Sequence, residues 1–262
     1  MSANKETSSL FAEERRMRIV DYINQRKKAT VQELSSHFAV STATIRNDLR
    51  DLERTSQLVR THGGALIKTQ AAYEEEIDAR NVEKREEKRR IGRAALELIR
   101  DGDSIVLDTG TTTYELARLL VERKNITVVT NDLRIALLLE QYDSVQVLVL
   151  GGMLRKHFHC TLGDPGASLL ADLRVDKAFM GANSVSPHDG ASTPDLHTAE
   201  IKKGMIAIAG QVVLLADSDK LNRRSFAKFA STAEIDMLVT DSMDKNEIGE
   251  FEQVDIDVIV AE

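Results

Sequence analysis

Residues 29–66, ATVQELSSHFAVSTATIRNDLRDLERTSQLVRTHGGAL, decide how the N-terminal part of this chain folds. Thr30 opens a short helical pattern in which Val31, Leu34 and Phe38 stand three and four apart and share one buried stripe. Ala39 and Val40 make a tight turn. Ser41 then has N-cap chemistry, since its hydroxyl can accept from the orphan amides of Ala43 or Thr44, and Ile45, Leu49 and Leu52 carry the apolar face onward. That leaves Thr42, Thr44, Arg46, Asn47 and Arg50 facing outward. Beyond this second helix, Leu58-Val59-Arg60 and Ala65-Leu66-Ile67 read as two short strands joined by a glycine turn, Thr61-His62-Gly63-Gly64.

The outward set suits a DNA major groove. Arg46 and Arg50 can donate to guanine O6 and N7, Asn47 can pair with adenine N6 and N7, and the hydroxyls of Ser41, Thr42 and Thr44 can hold phosphate. Arg60 and His62, on the hairpin, are placed to touch backbone or minor groove. Residues 1–68 are therefore expected to form a winged helix-turn-helix domain with double-stranded DNA as its partner. Asp48 and Asp51 would be repelled by phosphate, so they belong on the flank that packs against the first helix or pairs with arginines. A small helical bundle that uses the same geometry only for packing is the bland alternative, and the charge split argues against it. Residues 1–68 hold 12 Lys or Arg against 8 Asp or Glu, a net of +4, while the remainder nets −11, together giving the −7 of the chain. An acidic protein with one basic end is what results when only that end meets DNA.

These residues resemble the DeoR family of bacterial transcriptional regulators, whose N-terminal pattern is VSxxTIRRDLxxLExxGxLxRxHGGA, against VSTATIRNDLRDLERTSQLVRTHGGA in this chain. Asn47 stands where the family usually has a second Arg, which bears on base preference. Ser56 stands where a Gly commonly precedes the wing.

Length and composition fit two domains: 262 residues suffice for a DNA-binding domain plus one α/β domain of about 170 residues. No apolar run approaches the roughly 20 residues of a membrane span, and MSANKETSSLFAEERR is too polar for a signal peptide, so a cytoplasmic protein is expected. One cysteine, Cys160, excludes an intrachain disulfide framework. Residues 69–90 form a dense mixed-charge linker whose later part joins a helix continuing through Ile91, Ala94, Ala95, Leu98 and Ile99. The α/β domain is expected over 91–262.

From residue 104 onward, β-branched runs alternate with helical stretches: 104–107, 126–129, 145–150, 177–180, 212–216, 237–239 and 258–260. Such a series predicts a largely parallel, Rossmann-like sheet covered by helices, with its ligand site beyond the carboxyl ends of the strands. The most informative loop there is Asp108-Thr109-Gly110-Thr111-Thr112-Thr113, which opens the helix Tyr114 to Leu120. Gly110 allows the turn, Thr111, Thr112 and Thr113 offer hydroxyls, and the helix presents free amides, so phosphate is the natural guest. Asp108 would repel phosphate and instead accepts from a sugar hydroxyl or orients the loop. Other strand ends add Thr130-Asn131-Asp132, Gly151-Gly152 with Arg155, Gly181-Ala182-Asn183 and Asp217-Ser218-Asp219-Lys220. Lys202 and Lys220 are further candidates to neutralise the ligand's charge.

This region resembles the DeoR-type sensor domain, itself similar in fold to ribose-5-phosphate isomerase, glucosamine-phosphate deaminases and CoA transferases. The family motifs LDxGTTT, VVTN, GGxLR and DxSK fall at 107–113, 128–131, 151–155 and 217–220, the family's GxTxxD corresponds to GASTPD at 190–195, and its LG followed by an acidic residue falls at 162–164. Thr198 replaces a frequent Glu, and Asp219 replaces the Ser before the final Lys. The resemblance implies a homodimeric or homotetrameric repressor of sugar transport or catabolism genes, released from its operator by a phosphorylated sugar and requiring no cofactor.

A sugar-phosphate isomerase carrying a DNA-binding appendage is the alternative from another class. The isomerase pattern AIDGADEVD is here Ala178 to Ser186, with Met180, Asn183 and Ser186 at three of its acidic positions. Neither a thioether nor an amide is a general base near neutral pH, which favours binding without turnover. Asp189, Asp195 and Glu200 remain as candidate bases. His157-Phe158-His159-Cys160 carries zinc-ligand types, but no second Cys or clustered His completes a set, and no metal is expected.

Overall fold

The computed structural model describes residues 12–26, 28–54, 58–61, 64–67 and 83–262. The chain divides into two compact units, residues 1–73 and 74–262. Residues 69–82 of the expected linker, together with Lys68 before it and His62 and Gly63 of the expected turn, lie outside the described residues.

In the N-terminal unit, helices α1 (Ala12–Arg26), α2 (Val31–Phe38) and α3 (Thr42–Arg54) accompany strands β1 (Lys28–Thr30), β2 (Leu58–Thr61) and β3 (Gly64–Ile67). Thr30 and Glu33 start α2 through a reciprocal capping box, and Ala39, at φ 53°, ends it in the left-handed region. Ile45, Leu49 and Leu52 bury one face of α3 against Leu34 of α2 and Ile19 and Ile23 of α1. The sheet runs β1-β3-β2, all antiparallel, with Leu58 opposite Ile67 and Thr61 opposite Gly64. Helix α1 and strand β1 were not anticipated from the sequence, although Ile19 and Ile23 stand at the four-residue spacing of a buried helical stripe.

Seven parallel strands form the main sheet of the C-terminal unit: β4 (Ser104–Leu107), β5 (Ile126–Thr130), β6 (Val145–Val149), β9 (Val175–Gly181), β12 (Ala209–Leu215), β14 (Met237–Thr240) and β15 (Asp257–Val260). Their order is β15-β14-β12-β9-β4-β5-β6. Side chains alternate between the two faces. Val106, Ala178, Met180, Leu214 and Leu238 join one core with Leu170, Ile201 and Met205, which lie on α7 (Asp164–Leu170) and α8 (Leu196–Ala207). Ile105, Leu107, Phe179, Val213 and Val239 join the other with Ile91, Leu116 and Ile135, from α4 (Arg85–Leu96), α5 (Thr111–Ala117) and α6 (Leu133–Leu139). Both faces are covered, which is why these strands read as unbroken apolar runs. A hairpin of β7 (Met153–Arg155) with β8 (Cys160–Leu162), an antiparallel sheet of β10 (Ser184–Ser186), β11 (Gly190–Thr193) and β13 (Ala227–Ala230), helix α9 (Lys245–Glu252) and short 3-10 turns at Leu120–Glu122, Ser218–Lys220 and Thr232–Glu234 complete this unit among the described residues. Helix α4 begins at Arg85, within the stretch read as linker from the sequence.

The strand order fixes where a ligand can enter. From β4 the chain moves outward through β5 and β6, then returns to place β9 on the other side of β4, so the order reverses between β4 and β9. The loops at the carboxyl ends of these two strands diverge and leave a crevice.

Gly64 is required by packing in the N-terminal unit: a Cβ there would lie 2.1 Å from the Ala29 carbonyl oxygen and 2.7 Å from Thr30 Cα. Gly64→Ala should therefore push β3 off β1 and destabilise this unit by about 1–3 kcal/mol. A denaturant melt of the full chain, followed with DNA affinity, checks this; an unchanged midpoint would contradict the packing account.

Candidate functional site

Two sites emerge, one in each unit. On α3, the Ser41 hydroxyl accepts from the Thr44 amide at 3.1 Å and shares a hydrogen bond with the Thr44 hydroxyl at 2.8 Å, so the two residues set the start of the helix. Arg46, Asn47 and Arg50 are exposed on it, Thr42 is half-buried, and Arg50 Nη1 donates to Asn47 Oδ1 at 3.4 Å. Asp48 faces the other way and is buried, with Arg15 Nε 2.6 Å and Arg15 Nη2 3.1 Å from its carboxylate oxygens. Arg16 Nη2 lies 3.2 Å from Asp51. The two carboxylates thus pair with arginines of α1, and the exposed face of α3 keeps a cationic and amide character. In β2 the backbone of Arg60 pairs with Ala65 of β3.

In the C-terminal unit a pocket opens at the reversal point. Gly110, Thr111, Thr112 and Thr113, after β4, face Gly181 and Ala182 at the end of β9 and Leu215 to Asp217, Asp219 and Lys220 after β12. Glu83, Lys84 and Lys88, at the start of α4, complete the lining. The first-turn amides of α5 have no partner within their own helix. Thr113 donates its hydroxyl to Gly110 O at 3.0 Å, whereas the buried Thr111 hydroxyl has no hydrogen-bond partner among the described residues. A buried hydroxyl left in this way is costly unless something supplies its partner, and here it borders an open pocket. Lys84 Nζ lies 2.8 Å from Asp219 Oδ1 and 3.2 Å from Ser218 Oγ, and the buried Lys88 donates to Glu83 O at 2.7 Å. Burial works to lower the Lys84 pKa, but Asp219, Asp217 and Asp241 outweigh it and raise it.

Asp108 lies beneath the pocket and does not line it. It is fully buried, bonded through Oδ2 to Lys202 Nζ and accepting the Gly181 amide at 2.9 Å. Lys202 is buried too, donates to Gly181 O at 2.8 Å and stands 4.9 Å from the centre of the Phe229 ring. Burial pushes the Asp108 carboxyl above the usual carboxylate range, against the pull of Lys202 and of the Gly181 and Thr109 amides. Of the two readings open for Asp108, this geometry fits the loop-orienting one.

Thr130, Asn131, Gly152 and Arg155 form a different constellation around β5, β6 and the β7–β8 hairpin. Thr130 accepts from the Asp132 amide at 3.1 Å, and Asn131 Nδ2 donates to Thr161 O at 2.9 Å. Gly152 is needed for close backbone packing: its φ is +142°, and a Cβ would meet Leu162 O at 2.3 Å. The Arg155 guanidinium stacks 3.7 Å from the centre of the Phe158 ring. Lys84 and Lys88 escaped the sequence reading because a mixed-charge run gives no sign of which lysines fold inward.

The acids left to the isomerase alternative are each engaged elsewhere. Asp189 pairs with Arg224, and Glu200 is exposed beside His197. Asp195 caps α8; burial works to raise its pKa, but the Thr198 amide and hydroxyl outweigh it and lower it, making a weaker base. Burial pushes the Cys160 thiol up to about 11, and no group of three His, Cys, Asp or Glu among the described residues is placed to hold a metal ion. No helix among them is long and apolar enough to cross a membrane.

Comparison with known proteins adds two domain matches: a DeoR-like helix-turn-helix domain over residues 15–71 and a DeoR C terminal sensor domain over residues 83–242. The chain is 37% identical over 247 residues to the HTH-type transcriptional regulator GlpR of Haloferax volcanii, covering 94% of this chain and 96% of that protein. It is 29% identical over 224 residues to the glycerol-3-phosphate regulon repressor of Escherichia coli K12, covering 86% and 88%. Among solved structures it is similar to a D-ribose-5-phosphate isomerase in complex with phospho-erythronic acid, at 24% identity and a TM-score of 0.40, covering 52% of this chain and 54% of that one.

Lys202→Met would leave the Asp108 carboxylate buried without its cation, a loss of about 3–5 kcal/mol for the C-terminal unit near neutral pH. The variant's folded state would then hold a proton that an ordinary carboxylate in the unfolded chain has released, so the gap from wild type should narrow as pH falls toward the ordinary carboxylate range. Urea melts at a series of pH values test both points; equal stabilities at pH 7, or a gap that widens toward acid, would contradict them.

Proposed function

The chain belongs to the DeoR family of transcriptional regulators, and on that footing we propose that its pocket takes a phosphorylated sugar or sugar derivative whose binding releases the protein from its operator. Relatives that match nearly end to end are named as regulators and repressors, so the chain is a DNA-binding transcriptional regulator and not an enzyme. The observation that carries the ligand reading is the pocket at the β4/β9 reversal point. There the α5 amides, an unpartnered Thr111 hydroxyl and the lysines 84, 88 and 220 converge on one space. Amides at a helix start together with ammonium groups suit a phosphate. That one of the relatives is named for a glycerol-3-phosphate regulon supports a small phosphorylated polyol or sugar.

Within this reading Gly110, Thr111, Thr112, Thr113 and Lys220 hold the phosphate, joined by Lys84 and Lys88. Asp108 and Lys202 fix the loop from below, and Thr130, Asn131, Gly152 and Arg155 shape the neighbouring wall. We assign base reading to Arg46, Asn47 and Arg50, and phosphate contacts to Ser41, Thr42, Thr44, Arg60 and His62. The working protein is a cytoplasmic homodimer or homotetramer, since two modules on paired half-sites gain avidity that one small module lacks. Residues 1–68 are the DNA-binding domain, and the sensor, expected from the sequence over 91–262, takes in Glu83, Lys84 and Lys88 as well, which leaves 69–82 as the linker.

If Arg46 reaches a base edge, Arg46→Ala should cost about 1–3 kcal/mol at its cognate base and relax preference there, while Asn47→Ala changes base choice more than salt dependence. Operator footprinting and the specific-to-nonspecific ratio read this out; if both variants leave them unchanged, the recognition assignment is wrong. For the pocket, Thr111→Val or a bulky residue at Gly110 should abolish the thermal stabilisation that sugar phosphates give while operator binding persists, the signature of constitutive repression. Stabilisation equal to wild type would remove the threonine loop from the ligand site.

A further inference from the structure

The pocket contains an anion of its own. Asp219 sits in the turn Ser218–Lys220, yet other residues hold that turn: Asp217 accepts the Asp219 amide at 3.2 Å, and Asp241 accepts the Ser218 amide at 2.6 Å and the Ser218 hydroxyl at 3.3 Å. The Asp219 carboxylate is left to one hydrogen-bond partner among the described residues, Lys84 Nζ at 2.8 Å. Lys84 reaches it from a backbone at φ 48°, at the residue that precedes α4, where its side chain caps nothing. Lys84 and Asp219 line the same pocket as the α5 amides and the unpartnered Thr111 hydroxyl.

We propose that Asp219 is a built-in competing anion, which occupies Lys84 until a phosphorylated ligand displaces it and so sets the ligand concentration at which the sensor responds. The proposal rests on reading this pocket as the phosphate site. The ion pair is suited to exchange, because the Lys84 side chain is 28% exposed and that of Asp219 57%, a range in which a pair is worth little. A phosphate brings more negative charge and three acceptor oxygens, enough to engage Lys84, the amides and the Thr111 hydroxyl together. Pairing with Lys84 also holds the Asp219 carboxyl below the usual carboxylate range, so the competitor stays charged through neutral pH.

The test is calorimetric titration of the full chain with inorganic phosphate at constant ionic strength, for wild type, D219N, D219S, K84Q, the D219N/K84Q double variant, K220Q and T111V. Unfolding midpoints confirm that each variant is folded. D219N and D219S should bind phosphate two- to fivefold more tightly than wild type, K84Q more weakly, and the gain from D219N should vanish in the K84Q background. If D219N and D219S bind no more tightly while K220Q or T111V weakens binding, the pocket reading stands and the competing-anion proposal is overturned. A gain that persists without Lys84 overturns it as well, since the effect would then be general removal of negative charge. If K84Q, K220Q and T111V all leave phosphate binding unchanged, the pocket reading itself fails and this proposal falls with it.

Discussion

A buried ion pair, Asp108 with Lys202, ties together the two strands between which the sheet order reverses. Asp108 follows β4, its carboxylate accepts the amide of Gly181 at the end of β9, and Lys202 arrives from α8 to bond both Asp108 and the Gly181 carbonyl. Burying two charges is expensive, and it is offset only when geometry is good and further hydrogen bonds are made. Here the burden falls at the base of a pocket. The pair fixes the separation between the threonine loop and the Gly181-Ala182 backbone, so the amides and hydroxyls above it are set in place before any ligand arrives. Preorganisation of this kind spares a ligand the cost of ordering the site.

The parallel sheet was legible because its strands are buried on both faces, which forces unbroken apolar runs such as 104–107 and 212–215. The recognition helix was legible for the opposite reason: Ile45, Leu49 and Leu52 keep strict helical spacing, and what remains is a distinctive polar set. Elements with few residues and weak patterning were not. Strand β1 is three residues long, and β10, β11 and β13 are held by small and polar residues such as Ser184, Ser192 and Ala227, whose alternation says little. Side-chain destination was least legible of all. Lys88, one of several lysines and arginines in the mixed-charge run, is buried against the Glu83 carbonyl, and Lys202, a candidate for the ligand's charge on sequence grounds, lies in the core against Asp108. Neither burial is signalled by the residue type, because where a lysine side chain folds is set by the packing around it.

Gly152 stands among the strand-end residues expected at the ligand site, and the close approach that its missing Cβ permits in the structure is to the Leu162 carbonyl, which seats the β7–β8 hairpin. The spatial grouping in turn divides the candidate residues. Those after β4, β9 and β12 meet around one pocket, whereas those after β5 and β6 gather at the β7–β8 hairpin.

Ligand control of DNA binding requires a ligand to bind the DNA-free form more tightly than the DNA-bound form, since a ligand indifferent to the two shifts nothing. A coupling of about 1–3 kcal/mol is typical, and it acts equally in both directions. The most direct measurement is a calorimetric titration of the full chain with its stabilising sugar phosphate, with and without saturating operator DNA. The account predicts weaker sugar-phosphate binding in the presence of operator, by the same factor by which the sugar phosphate weakens operator binding. Equal affinities in the two states, or binding of the unphosphorylated sugar as tight as that of the phosphorylated one, would contradict it.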